Sequence, residues 1–207
     1  MNLRPPSTSN TPADLVGDAE LVARARDGDR AAFDQLVIRH QDRVYNMALR
    51  MLGHPDDALD LAQEVFLSAY RALGGFEAKA AFSTWLYRVT VNRCRDELRR
   101  RSTVKHTRPR PLGARANPDD PSADPPARGA SPHELAVARE SEAIIAAAVA
   151  ELPGDAREVL VLRDVEGLAY EEIAHVLEVP VGTVRSRLNR ARTLLRDRLR
   201  EVLETES

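Results

Sequence analysis

A proline-rich stretch, residues 107–132, divides this chain of 207 residues into two parts. It contains seven of the thirteen prolines, and its only large apolar side chain is Leu112. Because proline lacks an amide donor and clashes with the preceding helical turn, such a stretch cannot continue a helix or a central strand. We expect a flexible linker that spans about 28 Å on average as a coil and reaches about 80 Å when it is extended.

Both parts have apolar residues at helical spacing. Over residues 18–106 they recur every three or four positions, and Gly53-His54-Pro55 interrupts the pattern. Asp56 or Asp57 is the expected cap of the helix that follows. Over residues 133–207 the same spacing predicts short helices and a long last helix that begins at Pro180. No convincing strand pattern is present, so the sequence predicts an all-α fold of two small helical domains.

Composition narrows the function classes. Aromatic residues make up only 4% of the chain, which favours helical cores built from alanine and leucine. The single cysteine, Cys94, excludes an internal disulfide and a cysteine-cluster zinc site.

The longest apolar run, residues 143–150, is too short to cross a bilayer. Residues 1–17 are rich in proline, serine and threonine and are expected to be disordered. We expect a soluble, cytoplasmic chain that is not inserted in a membrane and needs no cofactor or metal.

The net charge of −2 conceals an uneven distribution along the second part. Residues 133–180 hold eleven acidic side chains against three arginines, whereas residues 181–200 hold seven arginines against Asp197 alone. A solvated helix face normally mixes both signs, and this remains the alternative interpretation. The excess of guanidinium groups on one helix favours neutralisation of nucleic-acid phosphates.

The residues before this basic helix fit a helix-turn-helix. A short helix starts at Glu171-Glu172, a turn follows near Glu178, and Val184 lies ten residues after Ala174. The turn position commonly needs a left-handed backbone, which costs a residue such as glutamate about 1–2 kcal/mol. The first residues of the second helix are expected to enter a major groove, where they read bases or hold phosphates. They are Thr183, Arg185, Ser186, Arg187, Asn189 and Arg190.

The first part has a basic helix of its own. Its arginines are Arg88, Arg93, Arg95 and residues 99–101, and it also carries Trp85, Tyr87 and Asn92. Interleaved aromatic and arginine side chains suit unstacked bases as well as phosphates. In the alternative interpretation, Trp85 and Tyr87 belong to the core, and residues 99–101 form a solvated helix end that the helix dipole favours.

The preceding helix presents an acidic-polar face. It consists of Asp57, Asp60, Gln63 and Glu64, which lie three or four residues apart. Paired carboxylates also occur at catalytic and metal sites, but neither histidine nor cysteine lies nearby at ligand spacing. We interpret this face as a protein-docking surface, with a solvated face and a metal or catalytic site as alternatives.

Three motifs resemble those of one known family. They are DALDLAQEVF at residues 57–66, FSTWLYRVTVN at residues 82–92 and VGTVRSRLNRAR at residues 181–192. In this order they resemble the extracytoplasmic-function sigma factors of bacterial RNA polymerase, over roughly residues 18–102 and 133–203. The chain departs from the family pattern at Leu59, where glutamate is usual, at Asn189, where histidine is frequent, and at Glu178, where glycine is frequent.

The resemblance implies a transcription initiation factor that is not an enzyme and that directs core RNA polymerase to promoters. Residues 18–106 would form sigma region 2, which binds polymerase and recognises and melts the −10 element. Residues 133–207 would form sigma region 4, whose helix-turn-helix binds the −35 element. The resemblance further implies an anti-sigma factor as a partner.

The resemblance also assigns roles to individual residues. Docking on the clamp helices of the largest polymerase subunit would use Asp57, Asp60, Gln63 and Glu64. The −10 contacts would come from Lys79, Trp85, Tyr87, Arg88, Asn92, Arg95 and Arg99. The −35 contacts would come from Thr183, Arg185, Ser186, Arg187, Asn189, Arg190 and Arg192.

Two other functions remain open from the sequence. A DNA-binding regulator that never joins polymerase would use the second part but leave the acidic face and the Trp85 motif without a role. An enzyme with Cys94 as its nucleophile would need a histidine or asparagine partner, and none is apparent. Cys94 falls on the apolar stripe near Val91 and Leu98, which favours buried packing.

Overall fold

The computed structural model describes residues 16–77, 80–105, 141 and 144–205. Within these ranges the regular structure is helical, without a strand, which confirms the all-α prediction. The predicted linker at residues 107–132, residues 1–15 of the predicted N-terminal segment, and Lys79 lie outside the described residues. Among the described helices, none combines the length and the apolar character that crossing a bilayer requires.

Within the described residues, four helices belong to the first half and four to the second. Helices α1 to α4 are Asp18–Arg26, Arg30–Leu52, Pro55–Ala72 and Phe82–Lys105, with a 3₁₀ turn at Leu73–Gly75 after α3. In the second half, α5 covers residues 144–150. It is followed by α6 (Gly154–Leu160), a π-helical turn (Val161–Val165), α7 (Tyr170–Leu177) and α8 (Val181–Thr205).

Local signals account for the start of α2. Asp29 occupies its N-cap, and the Asp29 carboxylate accepts a hydrogen bond from the amide of Ala32 at 3.2 Å. The same carboxylate pairs with Arg24 at 2.7 Å, and the hydrogen bond from Arg24 lowers the pKa of Asp29.

Two helix starts differ from the sequence prediction. Helix α2 ends at Gly53, whose φ of 76° is left-handed, and α3 then begins at Pro55 with His54 at its N-cap. Asp56 and Asp57 therefore lie in the first turn, where their charge favours the helix dipole, and the prediction that one of them caps α3 was wrong. Pro180 precedes α8 and does not begin it, but its carbonyl accepts the amides of Thr183 and Val184.

The buried apolar side chains of the two halves form one continuous core. In the first half, α2 packs on α1, α3 and α4, and its fully buried residues include Leu36 and Met47. In the second half, α6 and α7 pack on α8 around Val159, Ile173 and Val184. Contacts of α4 with α7 and of α2 with the π-helical turn join the halves, which the sequence did not predict.

Two apolar stripes are buried over only part of their length. On α8, Val184, Leu188 and Ala191 are buried, whereas Leu195 and Leu199, which continue the same helical spacing, line an open groove beside Leu160. On α3, Leu59 has the helical spacing of the buried Ala62 and Phe66, but 53% of its surface is exposed. In both cases helical periodicity identified the face correctly but could not tell how far the neighbouring elements extend along it.

We predict that Leu36→Ala lowers the free energy of unfolding by about 2–5 kcal/mol, because it leaves a cavity in a fully buried site. The matched control is Ile38→Ala on the same helix. Ile38 is 65% exposed, so its truncation should change stability by no more than about 0.5 kcal/mol. Denaturant unfolding followed by circular dichroism measures both values, and equal losses for the two variants would contradict the described packing of α2.

Candidate nucleic-acid interface

Helices α7 and α8 form a helix-turn-helix whose turn depends on Glu178. This residue has φ 57° and ψ 45°, and it is the only non-glycine residue with positive φ in the described part of the chain. The conformation is the left-handed one expected for the turn, and it costs a non-glycine residue about 1–2 kcal/mol. The amide of Val179 closes the turn on the carbonyl of Ala174 at 3.1 Å, so that α8 leaves α7 in a new direction.

The first turns of α8 gather the residues predicted for the −35 element. Arg185, Ser186, Asn189, Arg190 and Arg192 are exposed, and Thr183 and Arg187 are half-buried. The opposite face of the same turns packs into the core through Val184 and Leu188. The helix therefore presents cationic and hydroxyl side chains on one outward surface, as readout of a major groove requires.

Neighbouring side chains orient part of this surface. The guanidinium of Arg185 lies 5.8 Å from the centre of the Tyr170 ring, and that of Arg163 lies 5.1 Å from it. Arg187 lies 3.7 Å from Asp155. Arg192 differs from the others, because it forms a two-pronged pair with Asp164 of the π-helical turn, at 2.6 and 3.2 Å.

The aromatic residues predicted for the −10 element lie at different depths. Trp85 is half-buried and completes an aromatic cluster, with ring centres 5.2 Å from Phe76 and 5.7 Å from Phe82. Tyr87 is buried, and its hydroxyl donates a hydrogen bond to Glu166 at 2.7 Å. Burial and this carboxylate raise the pKa of Tyr87 well above its usual range, so the hydroxyl stays protonated.

The polar side chains of α4 are mostly engaged. Arg88 donates to Glu178, and Arg95 donates to both oxygens of Glu158, at 2.7 and 2.6 Å. Arg93 donates to Ser68 at 2.6 Å, Arg99 pairs with Asp96, and Asn92 is exposed. Sequence reasoning missed the carboxylate partners from the second half. The excess of acids over residues 133–180 was the only signal, and it did not say which helix they face.

The acidic-polar face predicted for docking lies on α3. Asp60, Gln63 and Glu64 are exposed beside Leu59. Asp57 is half-buried and 2.7 Å from Arg101, an ion pair without hydrogen-bond geometry. Among the described residues, no group of three or more histidine, cysteine, aspartate or glutamate side chains is placed to hold a metal ion.

Cys94, the candidate nucleophile of the enzyme alternative, is fully buried in α4. Burial raises the pKa of the Cys94 thiol to about 12. The thiol therefore stays protonated at neutral pH, and thiolate is the reactive form. The side chain packs in the core, as the apolar stripe indicated.

Comparisons with known proteins match both halves of the chain. Two family models match, Sigma-70 region 2 over residues 36–104 and Sigma-70, region 4 over residues 142–195. The RNA polymerase sigma-H factor of Pseudomonas aeruginosa is 39% identical over 190 residues, which cover 90% of this chain and 95% of that protein. The ECF RNA polymerase sigma-E factor of Escherichia coli (strain K12) is 36% identical over 204 residues, which cover 92% of this chain and 98% of that protein.

The chain belongs to the extracytoplasmic-function sigma factors. It is therefore a promoter-recognising transcription initiation factor, and recognition of the −10 and −35 elements fits its regions 2 and 4. Among solved structures, the sigma factor is similar to CnrH in complex with the cytosolic domain of CnrY. The TM-score is 0.62 at 28% identity, covering 92% of this chain and 99% of that chain. RpoE of Bartonella quintana, in complex with the anti-sigma factor NepR, shares the fold with a TM-score of 0.64 at 23% identity, covering 81% and 96%.

We predict that Cys94 of the folded sigma factor does not react with a thiol reagent such as dithionitrobenzoate. A buried thiol with a pKa of about 12 offers the reagent neither access nor thiolate. Absorbance should report a full equivalent of thiol only after denaturant is added. Rapid and complete reaction of the native chain would show that the core around α4 is open.

Proposed function

We propose that this sigma factor binds core RNA polymerase through the exposed face of α3 and reads a promoter with α4 and α8. Residues 18–106 form the part that binds polymerase and the −10 element, residues 133–207 form the part that binds the −35 element, and residues 107–132 tether the two. The observation that carries the proposal is the outward cationic surface on the first turns of α8, behind which Val184 and Leu188 anchor the helix.

The exposed face of α3 suits a protein partner. Asp60, Gln63 and Glu64 offer carboxylate and amide groups around the apolar side chain of Leu59. A mixed patch of this kind combines apolar burial with polar specificity, as at the core and rim of ordinary interfaces. Asp57 is half-buried at the edge of this face and pairs with Arg101. We include it in the proposed docking surface.

Helix α4 suits melted −10 DNA. Arg88, Asn92, Arg95 and Arg99 follow one another at helical spacing and supply donors for phosphates and bases. Trp85 lies at the edge of an aromatic cluster, and Tyr87 and Lys79 complete the proposed −10 set. Extruding a base costs a few kcal/mol, and stacking on an aromatic ring returns about 1–3 kcal/mol per base.

The linker at residues 107–132 makes binding of the −10 element and binding of the −35 element cooperative. Once one element is bound, the other part searches only the volume that residues 107–132 allow, which raises its effective concentration without a new contact. The proposal places the sigma factor in the cytoplasm, with polymerase and the chromosome. An anti-sigma factor is a further proposed partner, because the resemblance implies one and the similar CnrH was solved with the cytosolic domain of CnrY bound to it.

We predict that the double variant Arg185→Glu, Arg187→Glu abolishes transcription from a cognate promoter and leaves polymerase binding intact. Binding to the −35 duplex should weaken at least about 30-fold, because each good base contact is worth about 1–3 kcal/mol. Run-off transcription and co-purification with core polymerase measure the two effects. The matched control, Arg196→Glu with Arg200→Glu, reverses two charges farther along α8 and should retain duplex binding. Unchanged transcripts from the Arg185→Glu, Arg187→Glu variant would refute the −35 assignment.

We predict that Asp60→Lys with Glu64→Lys weakens binding to core polymerase at least tenfold, because the reversal places cations where the docking surface has carboxylates. Binding of labelled sigma factor to core enzyme measures the loss. The control is Asp34→Lys with Asp42→Lys, the same charge change on α2. A similar loss in both variants would argue for a nonspecific charge effect instead of a docking face on α3.

A further inference from the structure

A buried histidine in the first half of the chain has no part in the proposed function. His40 of α2 is 7% exposed, and its Nε2 atom lies 2.7 Å from Oδ2 of Asp18, the first residue of α1. Because an ionised carboxylate only accepts hydrogen bonds, the ring N–H of His40 donates to Asp18. A buried imidazole on one helix is therefore tied to a carboxylate on another.

The carboxylate of Asp18 is held from two sides. Its other oxygen, Oδ1, accepts a hydrogen bond from Arg39 at 3.2 Å, and the same guanidinium nitrogen donates to the carbonyl of Val16 at 2.6 Å. Asp18 also lies in the first turn of α1, where a negative charge favours the helix dipole. The acceptor for His40 therefore has a fixed position, which selects one orientation of the imidazole ring about a torsion that is otherwise broad.

The ring of His40 packs against the aromatic cluster of Phe76, Phe82 and Trp85. Its centre lies 5.4 Å from that of Phe82 at an interplanar angle of 61°, and the ring of Phe82 lies 5.7 Å from that of Trp85. Edge-to-face contacts of this kind depend on the orientation of both rings. His40, Phe76 and Phe82 are buried, whereas Trp85 is half-buried. The contacts therefore lead from the fixed carboxylate to a partly exposed indole.

The same contacts define the start of α4. Phe82 is the first residue of this helix, and the amide of Trp85 bonds to the carbonyl of Ala81 at 3.1 Å in its first turn. The position of Phe82 therefore sets both where α4 begins and where the indole lies one turn later.

Resting on the proposed function, which assigns Trp85 to melted −10 DNA, we propose that Asp18 and His40 are positioning residues for that contact. They hold Phe82, and Phe82 holds the indole ready for an unpaired base. An indole already fixed in its plane loses little freedom when a base stacks on it, so more of the stacking energy is available for melting. Helix α1 thus acts on promoter melting without contacting DNA.

The chain offers a direct report on this site. Trp85 is its only tryptophan, so the intrinsic fluorescence of the free sigma factor comes from this indole alone. The test compares Asp18→Ala, which removes the acceptor, with His40→Phe, which keeps an aromatic ring but removes the donor. Asp18→Asn is the conservative variant, because it retains an acceptor oxygen of the same reach. The matched control is Met47→Ala, which opens a cavity at a fully buried site seven residues farther along α2.

We expect Asp18→Ala and His40→Phe to shift the emission of Trp85 to longer wavelengths, because a loosened indole meets more water. With core polymerase, run-off transcription should fall at least about fivefold, the loss expected when one stacked base is no longer held. The template is a promoter that wild-type holoenzyme selects from a random library. Binding to core polymerase should stay unchanged, Asp18→Asn should restore transcription, and Met47→Ala should change neither emission nor transcription.

A second comparison links the effect to the indole. In a Trp85→Ala background, Asp18→Ala should cause no further loss of transcription, because the two residues act through one contact. A further loss of about fivefold in that background would contradict the inference. His40→Phe leaves no buried imidazole without an acceptor, so it is expected to fold even if Asp18→Ala does not.

Three results overturn the inference: wild-type emission and transcription in His40→Phe, a shifted emission without loss of transcription, and equal losses in Met47→Ala. The last would indicate a general loss of stability in place of a positioning effect. Failure of the proposed function gives a different result, because wild-type sigma factor would then not support transcription by core polymerase at all, whatever the emission of Trp85 in the variants.

Discussion

The pairing of arginine with an oxyanion is the interaction on which this sigma factor depends. On α8 the guanidinium groups of Arg185 and Arg190 are exposed, Val184 and Leu188 anchor the helix from behind, and the proposed function assigns these arginines to phosphates and bases. On α4 the same chemistry is satisfied internally, because Glu158 and Glu178 accept from Arg95 and Arg88. The same residue type is therefore exposed on one helix and paired with carboxylates on the other. The two helices differ because carboxylates from the second half lie within hydrogen-bond distance of Arg88 and Arg95 on α4.

Packing decides where these arginines can act. The second half is built from short elements, since α6 has seven residues and α7 has eight. Helices of that length are not stable in isolation, so they depend on burial against α8 and the first half. The continuous core provides this burial. Arg157 of α6 adds a polar link between the halves, because its guanidinium donates to the carbonyl of Met51 at the end of α2.

Much of the candidate site was predictable from sequence because it follows from local pattern. Helical spacing predicted the exposed acidic face of α3 and the cationic surface of α8, and a left-handed turn was expected at Glu178. Local pattern was less informative where the outcome depended on neighbours. Leu59 matches the spacing of a core residue but is exposed, and Tyr87 of the proposed DNA-binding set is buried under Glu166. Neither result follows from helical periodicity, because periodicity does not indicate which element covers a face.

The sequence by itself determined the helical fold, the family and the chemistry of each surface, because periodicity, proline placement and charge are properties of contiguous residues. Only the tertiary structure decided that Glu158 meets Arg95, which lies 63 residues away along the chain. Contacts at that separation depend on how helices pack, and the composition of either helix does not specify its partner. The sequence therefore gives the means of binding DNA, and the packing decides whether those side chains are available.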